Sequence, residues 1–110
     1  MRLPHAENAV VDLRKLRDYC LSQAHDEGKH KARRFAAALG MTAADAEELQ
    51  KAILLAVRSH EARPLAMDEY GQRYAVDFEL AFRGRAARVR SGWILEAGST
   101  TPHLTTCYPL

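Results

Sequence analysis

Pro64 divides this chain into two hydrophobic rhythms, and that change of period restricts the fold more than any other feature. Before Pro64, apolar residues recur at helical spacing. After it, they alternate. A helix must bury a stripe and an alternating strand must bury one face. Helices followed by a run of hairpin-linked strands therefore point to an α+β fold. The expected architecture is three N-terminal helices packed on one face of a C-terminal antiparallel meander of three to four strands. Residues 1–110 read as a single domain, with a helical part over 1–60 and a sheet over 61–110.

The first helix is expected from Leu13 to about Leu21, with Asp12 as its N-cap and Leu13, Leu16 and Cys20 on one face. The second follows from about Lys29 to Leu39. Ala32, Phe35, Ala36 and Leu39 form its apolar stripe, and Gly40 supplies a left-handed stop. Thr42 caps the third, which runs from Ala43 to about Ser59 and buries Ala46, Leu49, Ile53, Ala56 and Val57. Beyond Pro64, Tyr74, Val76, Phe78 and Leu80 alternate with Arg73, Ala75, Asp77 and Glu79. Val89, Ser91, Trp93 and Leu95 alternate in the next strand, and His103 to Tyr108 forms the last. A weak strand over Arg63 to Met67 precedes them. With helices on one side, the opposite face of the sheet is free to bind.

Composition removes several classes of function. The net charge of +2 and a pI of about 8.7 are only mildly basic. Affinity for nucleic acid must therefore come from local clustering of charge. No apolar run approaches the ~18 residues of a membrane span, so no membrane partner is expected. Met1 to His5 lacks the apolar core of a signal peptide. Cys20 and Cys107 read as reduced thiols of a cytoplasmic protein. The five histidines and two cysteines show no metal-ligand spacing, and no cofactor motif is present.

The most unusual local feature is Gly28-Lys29-His30-Lys31-Ala32-Arg33-Arg34. A helix N-terminus carries the positive end of the dipole, so cations gathered there work against it. A phosphate-bearing partner would reward the arrangement. The ordinary alternative, a solvated basic helix face, is favoured by spacing alone. Arg88 and Arg90 share a strand face near Arg73 and Asp77, as a phosphate patch or as cross-strand ion pairs. Thr105, Thr106 and Tyr108 add hydroxyls. Trp93 is a base-stacking candidate, although a lone tryptophan is more often core.

Five stretches together resemble a small bacterial family known only as a domain of unknown function. They are Leu3 to Ala9, Lys15 to Tyr19, Gly28 to Phe35, Asp68 to Tyr74 and Leu104 to Tyr108. Similar domains occur at the C-termini of large secreted polymorphic toxins. Their order of helices then meander is similar to the barnase–EndoU–colicin–RelE ribonuclease group. The resemblance implies metal-independent RNA cleavage and the toxin role of a toxin–antitoxin pair. Carried onto this chain, it implies catalytic roles for His30, Lys31 and Arg90. Substrate contacts fall to Arg34, Trp93, Thr106 and Tyr108. The arginine, histidine and glutamate set of better-known members has no secure counterpart here.

Two other readings stand beside the RNase. One is a non-catalytic antitoxin or immunity-type partner, or a nucleic-acid-binding module, on the same fold. The other is a homodimer built on the edge strand. The partners to be expected are RNA and a cognate antitoxin or neighbouring-gene protein, with the chain itself a monomer or homodimer.

Overall fold

A computed structural model describes all 110 residues. The Asp12 carboxylate accepts from the Arg14 backbone N–H at 2.9 Å and starts helix α1 (Leu13–Lys15). The chain then widens into a π turn over Leu16–Cys20, closed by the Leu21 N–H on the Leu16 carbonyl at 2.8 Å. The extra residue lets Leu16, Cys20 and Leu21 all turn inward. Helix α2 (Lys29–Leu39) buries Ala32, Phe35 and Leu39. It ends at Gly40, whose φ of +68° is open to glycine at no steric cost. The Gly40 and Met41 N–H groups close back on Ala36 and Phe35, which satisfies the last carbonyls and turns Met41 into the core. One 3₁₀ turn (Ala43–Asp45) leads into helix α3 (Ala46–Val57), and the Asp45 carboxylate accepts from the Thr42 N–H at 2.9 Å.

Four strands follow: β1 (Ala62–Asp68), β2 (Gly71–Phe82), β3 (Arg85–Leu95) and β4 (His103–Pro109). They form one antiparallel sheet in the order β1-β2-β3-β4. Arg83 and Gly84, both at positive φ, make the tight β2–β3 turn and fix the register that pairs Asp77 with Arg90. Tyr74, Val76, Phe78 and Leu80 of β2 are buried beneath the helices, joined by Val89, Trp93, Leu104 and Cys107. Ser91 lies among them with its polar atoms paired. Its Oγ donates to the Val76 carbonyl and accepts from Trp93 Nε1.

The expected architecture needs correction at its first layer. There are not three comparable helices on one face of the sheet. Only α2, against β3 and β4, and α3, against β2, are helices of that kind. The first is a single α turn continued as a π turn, and it wedges between α2, α3 and β4. The third begins one turn late as α-helix, because Ala43–Asp45 is 3₁₀. The sheet has four strands, and β1 is longer than expected and bulged between Pro64 and Met67.

Candidate nucleic-acid interface

Strand alternation decides which side chains the sheet presents to solvent. Arg73, Ala75, Asp77 and Glu79 of β2 stand opposite Ile94, Gly92, Arg90 and Arg88 of β3, and Thr106 and Tyr108 of β4 stand beside Gly92 and Arg90. At the centre, Arg90 donates from Nε and Nη2 to the two carboxylate oxygens of Asp77 at 2.7 and 2.8 Å. This hydrogen bonding holds the Asp77 carboxyl below its usual range and raises the Arg90 guanidinium, with partial burial opposing both. The fork uses two of the five N–H donors of Arg90. Three remain for other acceptors.

Beside this pair the sheet has a recess of about 130 Å³. Ala75 and Gly92 contribute no bulk there, and Arg73, Arg90, Thr105, Thr106 and Tyr108 stand around it. The recess depends on a bulge. Gly92 pairs with Thr106 and Trp93 with Leu104, so Thr105 is left over and both threonines crowd Gly92. A Cβ on Gly92 would lie 3.0 Å from Thr106 Cγ2 and 3.2 Å from Thr105 Oγ1. The Thr106 hydroxyl oxygen is buried there without a hydrogen-bond partner. A buried hydroxyl left unpaired costs free energy.

A second cleft, lined by His30, Lys31, Arg34 and Tyr108, adjoins the recess through Tyr108. Lys31 Nζ donates to the Tyr19 hydroxyl at 3.1 Å and lies 5.9 Å from the Tyr108 ring centroid. Arg34 stands 5.6 Å from the same centroid. These cation–π contacts pin the start of α2 to the edge of the sheet. A third cleft holds His60, Glu61, Arg63, Ala75, Asp77 and Arg88 on the other side, with Glu61 paired to the N-terminal ammonium, and meets the recess at Ala75 and at the Asp77–Arg90 pair.

The residues singled out from sequence therefore fall in two adjoining places. Arg90, Thr106 and Tyr108 line the recess, and His30, Lys31, Arg34 and Tyr108 line the helix cleft. His30 and Arg90 line no common cleft. Trp93 also borders the recess, but its side chain is 1% exposed and its Nε1 is committed to Ser91, which leaves no open face on which a base could stack. Sequence reasoning missed Gly92 and Ala75 as a floor and Thr105 as the bulged residue. A glycine inside an alternating strand was the available signal. Cys20 and Cys107 are buried free thiols. Burial pushes the Cys20 thiol up to about 11 and the Cys107 thiol well above its usual value.

No helix is long and apolar enough to cross a membrane. A family model described as a domain of unknown function (DUF6883) matches residues 2–110. No curated protein matches the chain. Among solved structures, the chain is similar to one from a contact-dependent growth inhibition toxin–immunity protein complex of Klebsiella pneumoniae 342. The match covers 97% of both chains with a TM-score of 0.65 and 16% identity, a likeness of fold.

Proposed function

We propose that this chain, which belongs to the DUF6883 family of domains of unknown function, is an RNA-cleaving toxin domain that acts in a cytoplasm without a metal. The observation that carries this reading is the recess at Gly92, which an arginine fixed by Asp77 lines together with Thr105, Thr106 and Tyr108. Such a set suits a phosphodiester. Lys31 and Arg34 stand next along the surface and suit the adjoining phosphate. The fold likeness to a chain of a growth-inhibition toxin–immunity complex supports the same reading, and supports a protein partner that neutralises it.

The reaction is a transesterification. A base takes the ribose 2′-hydroxyl proton, and the 2′-oxygen attacks phosphorus. The 5′-oxygen leaves with a proton and a 2′,3′-cyclic phosphate remains. Charge grows on the non-bridging oxygens during attack, and fixed donors aimed there stabilise it. Arg90 supplies the cation and Thr106 and Tyr108 supply hydroxyls, while Lys31 holds the adjoining phosphate. His30 is the imidazole of the helix cleft and takes the proton-transfer role.

A second reading is an immunity-type module. The feature favouring it is the edge strand β1, which exposes Leu65 and Met67 beside unpaired backbone groups. One experiment separates the two. Wild type, His30→Ala, Lys31→Ala, Arg90→Ala and Tyr108→Phe are incubated with RNA in EDTA and again in magnesium. Fragment ends are scored for cyclic phosphate, and each protein is also expressed to follow growth. Wild type should cleave in both buffers and arrest growth, and Arg90→Ala should lose roughly 10² to 10³ in rate. No cleavage by wild type, or equal cleavage by all five, rejects the nuclease.

A further inference from the structure

The recess, the helix cleft and the third cleft are consecutive. Tyr108 belongs to the first two, and Ala75 to the recess and the third. Each holds cations. At the far end, Arg63 of β1 and Arg88 of β3 flank Asp77, whose charge Arg90 already engages. Neither Arg63 nor Arg88 has an ion-pair partner within 4 Å, although Glu79 lies opposite Arg88 in the register. Both are exposed. Neighbouring strands lie about 4.8 Å apart, so the line from β4 to β1 covers roughly 15 Å, more than one phosphodiester can use.

We propose that this face is a track for at least three consecutive phosphates of single-stranded RNA, running from Lys31 and Arg34 across the Gly92 recess to Arg63 and Arg88. The proposal rests on the reading of this face as an RNA site and names its substrate class. The recess decides between single and double strands. It is a pocket of about 130 Å³ with Arg73, Arg90 and Tyr108 around it and the small Ala75 and Gly92 within it, so a phosphate must dip between the flanking side chains to enter. A flexible strand can dip while its neighbours remain on the cations at either side. The backbone of an A-form duplex holds its phosphates on a regular path, and duplex is recognised by its outer shape.

The test is fluorescence anisotropy with a labelled 2′-O-methyl hexanucleotide, which lacks the attacking hydroxyl, titrated from 50 to 300 mM salt. Each phosphate contact to a single strand adds roughly 0.7 to the slope of log affinity against log salt. The double variant Arg63→Ala/Arg88→Ala should lower that slope by roughly 0.7 or more and weaken binding about fivefold at low salt. Its melting curve checks that it folds. Exposed Lys51→Ala, away from the face, is the control. The same sequence as a duplex should bind more weakly than the single strand. An unchanged slope in the double variant overturns the track, as does equal or tighter binding of duplex. Unchanged RNA binding with lost binding of polyglutamate assigns that end to an acidic protein and also overturns it. Catalysis is scored separately. Wild type that binds with the predicted slopes but cleaves no RNA keeps the track and removes the nuclease. Cleavage with an unchanged slope does the reverse.

Discussion

Replacing Asp77 with asparagine should separate what holds this face together from what it binds. Asp77 and Arg90 share two charge-assisted hydrogen bonds at 2.7 and 2.8 Å, with side chains 14% and 28% exposed. A fully exposed pair would contribute up to about 1 kcal/mol. Breaking a fully buried one costs about 3–5 kcal/mol. This pair lies between those limits, so Asp77→Asn should cost about 2 kcal/mol at pH 7. The pH dependence has a definite sign. The folded carboxyl of Asp77 is held below its unfolded value of about 3.9. Its contribution is therefore present above that value and is lost as pH falls through the lower, folded one. Urea denaturation at pH 7 and at successive steps below pH 4 should show the gap between wild type and Asp77→Asn closing toward acid. A gap below about 0.5 kcal/mol at pH 7, or one that persists undiminished in acid, would refute the assignment. The variant also frees the Arg90 guanidinium to move. RNA cleavage should then fall in kcat more than in KM, because positioning for attack is lost before attraction is.

Gly92→Val should fill the recess and press on both threonines, so hexanucleotide binding should fall at least about tenfold while the fold survives at a cost of roughly 1–3 kcal/mol. Binding as tight as wild type in a folded Gly92→Val protein would show that the phosphate does not sit there. Gly28→Ala should be worse for stability, about 2 kcal/mol or more by urea denaturation, since its Cβ would collide with the Tyr19 carbonyl. The thiols should be silent to a disulfide reagent at pH 8 in the native protein, and both should react once urea exposes them. Fast reaction of either in the folded state would contradict their burial.

The strands could be read from sequence because one face is wet and the other is not. Tyr74, Val76, Phe78 and Leu80 all lie inward, and a one-residue slip would have sent Arg73, Asp77 and Glu79 into the core. The π turn could not be read. Leu13, Leu16 and Cys20 fit an ordinary helical period, and only the burial of Leu21 alongside Cys20 demands the extra residue. The same division holds at the candidate site. Alternation alone put Arg90 beside Asp77, because the Arg83–Gly84 turn leaves little choice of register. The recess escaped because it is made of what is missing. Ala75 and Gly92 signal weak strand positions, and the leftover Thr105 is a consequence of pairing with a partner strand that no local pattern specifies. Trp93 was legible in principle. It shares an alternation phase with Val89 and Ser91, and that phase faces the helices.

The cations at the start of α2 are the feature of the sequence on which the proposed function leans most, and the fold changes what they mean. No acidic residue occupies the first turn, and Gly28 offers no capping side chain. His25 supplies the cap from outside the helix. Its Nδ1 accepts from the Glu27 and Gly28 N–H groups at 3.0 and 2.9 Å. The exposed N–H groups that would otherwise invite an anion are thereby partly satisfied. The positive charge is then carried outward by side chains, away from the helix axis. Lys31 is drawn to Tyr19 and Tyr108, and Arg34 to Tyr108. Tyr108 is a residue of β4, one strand pair away from Arg90. A cost paid locally against the dipole thus becomes a positive extension of the sheet face, joined to the recess by one aromatic ring. Lys29 and Arg33 make no such contact, and a solvated helix face accounts for them. The two cations at the α2 end of the proposed phosphate track are the two that lie against Tyr108 of the sheet.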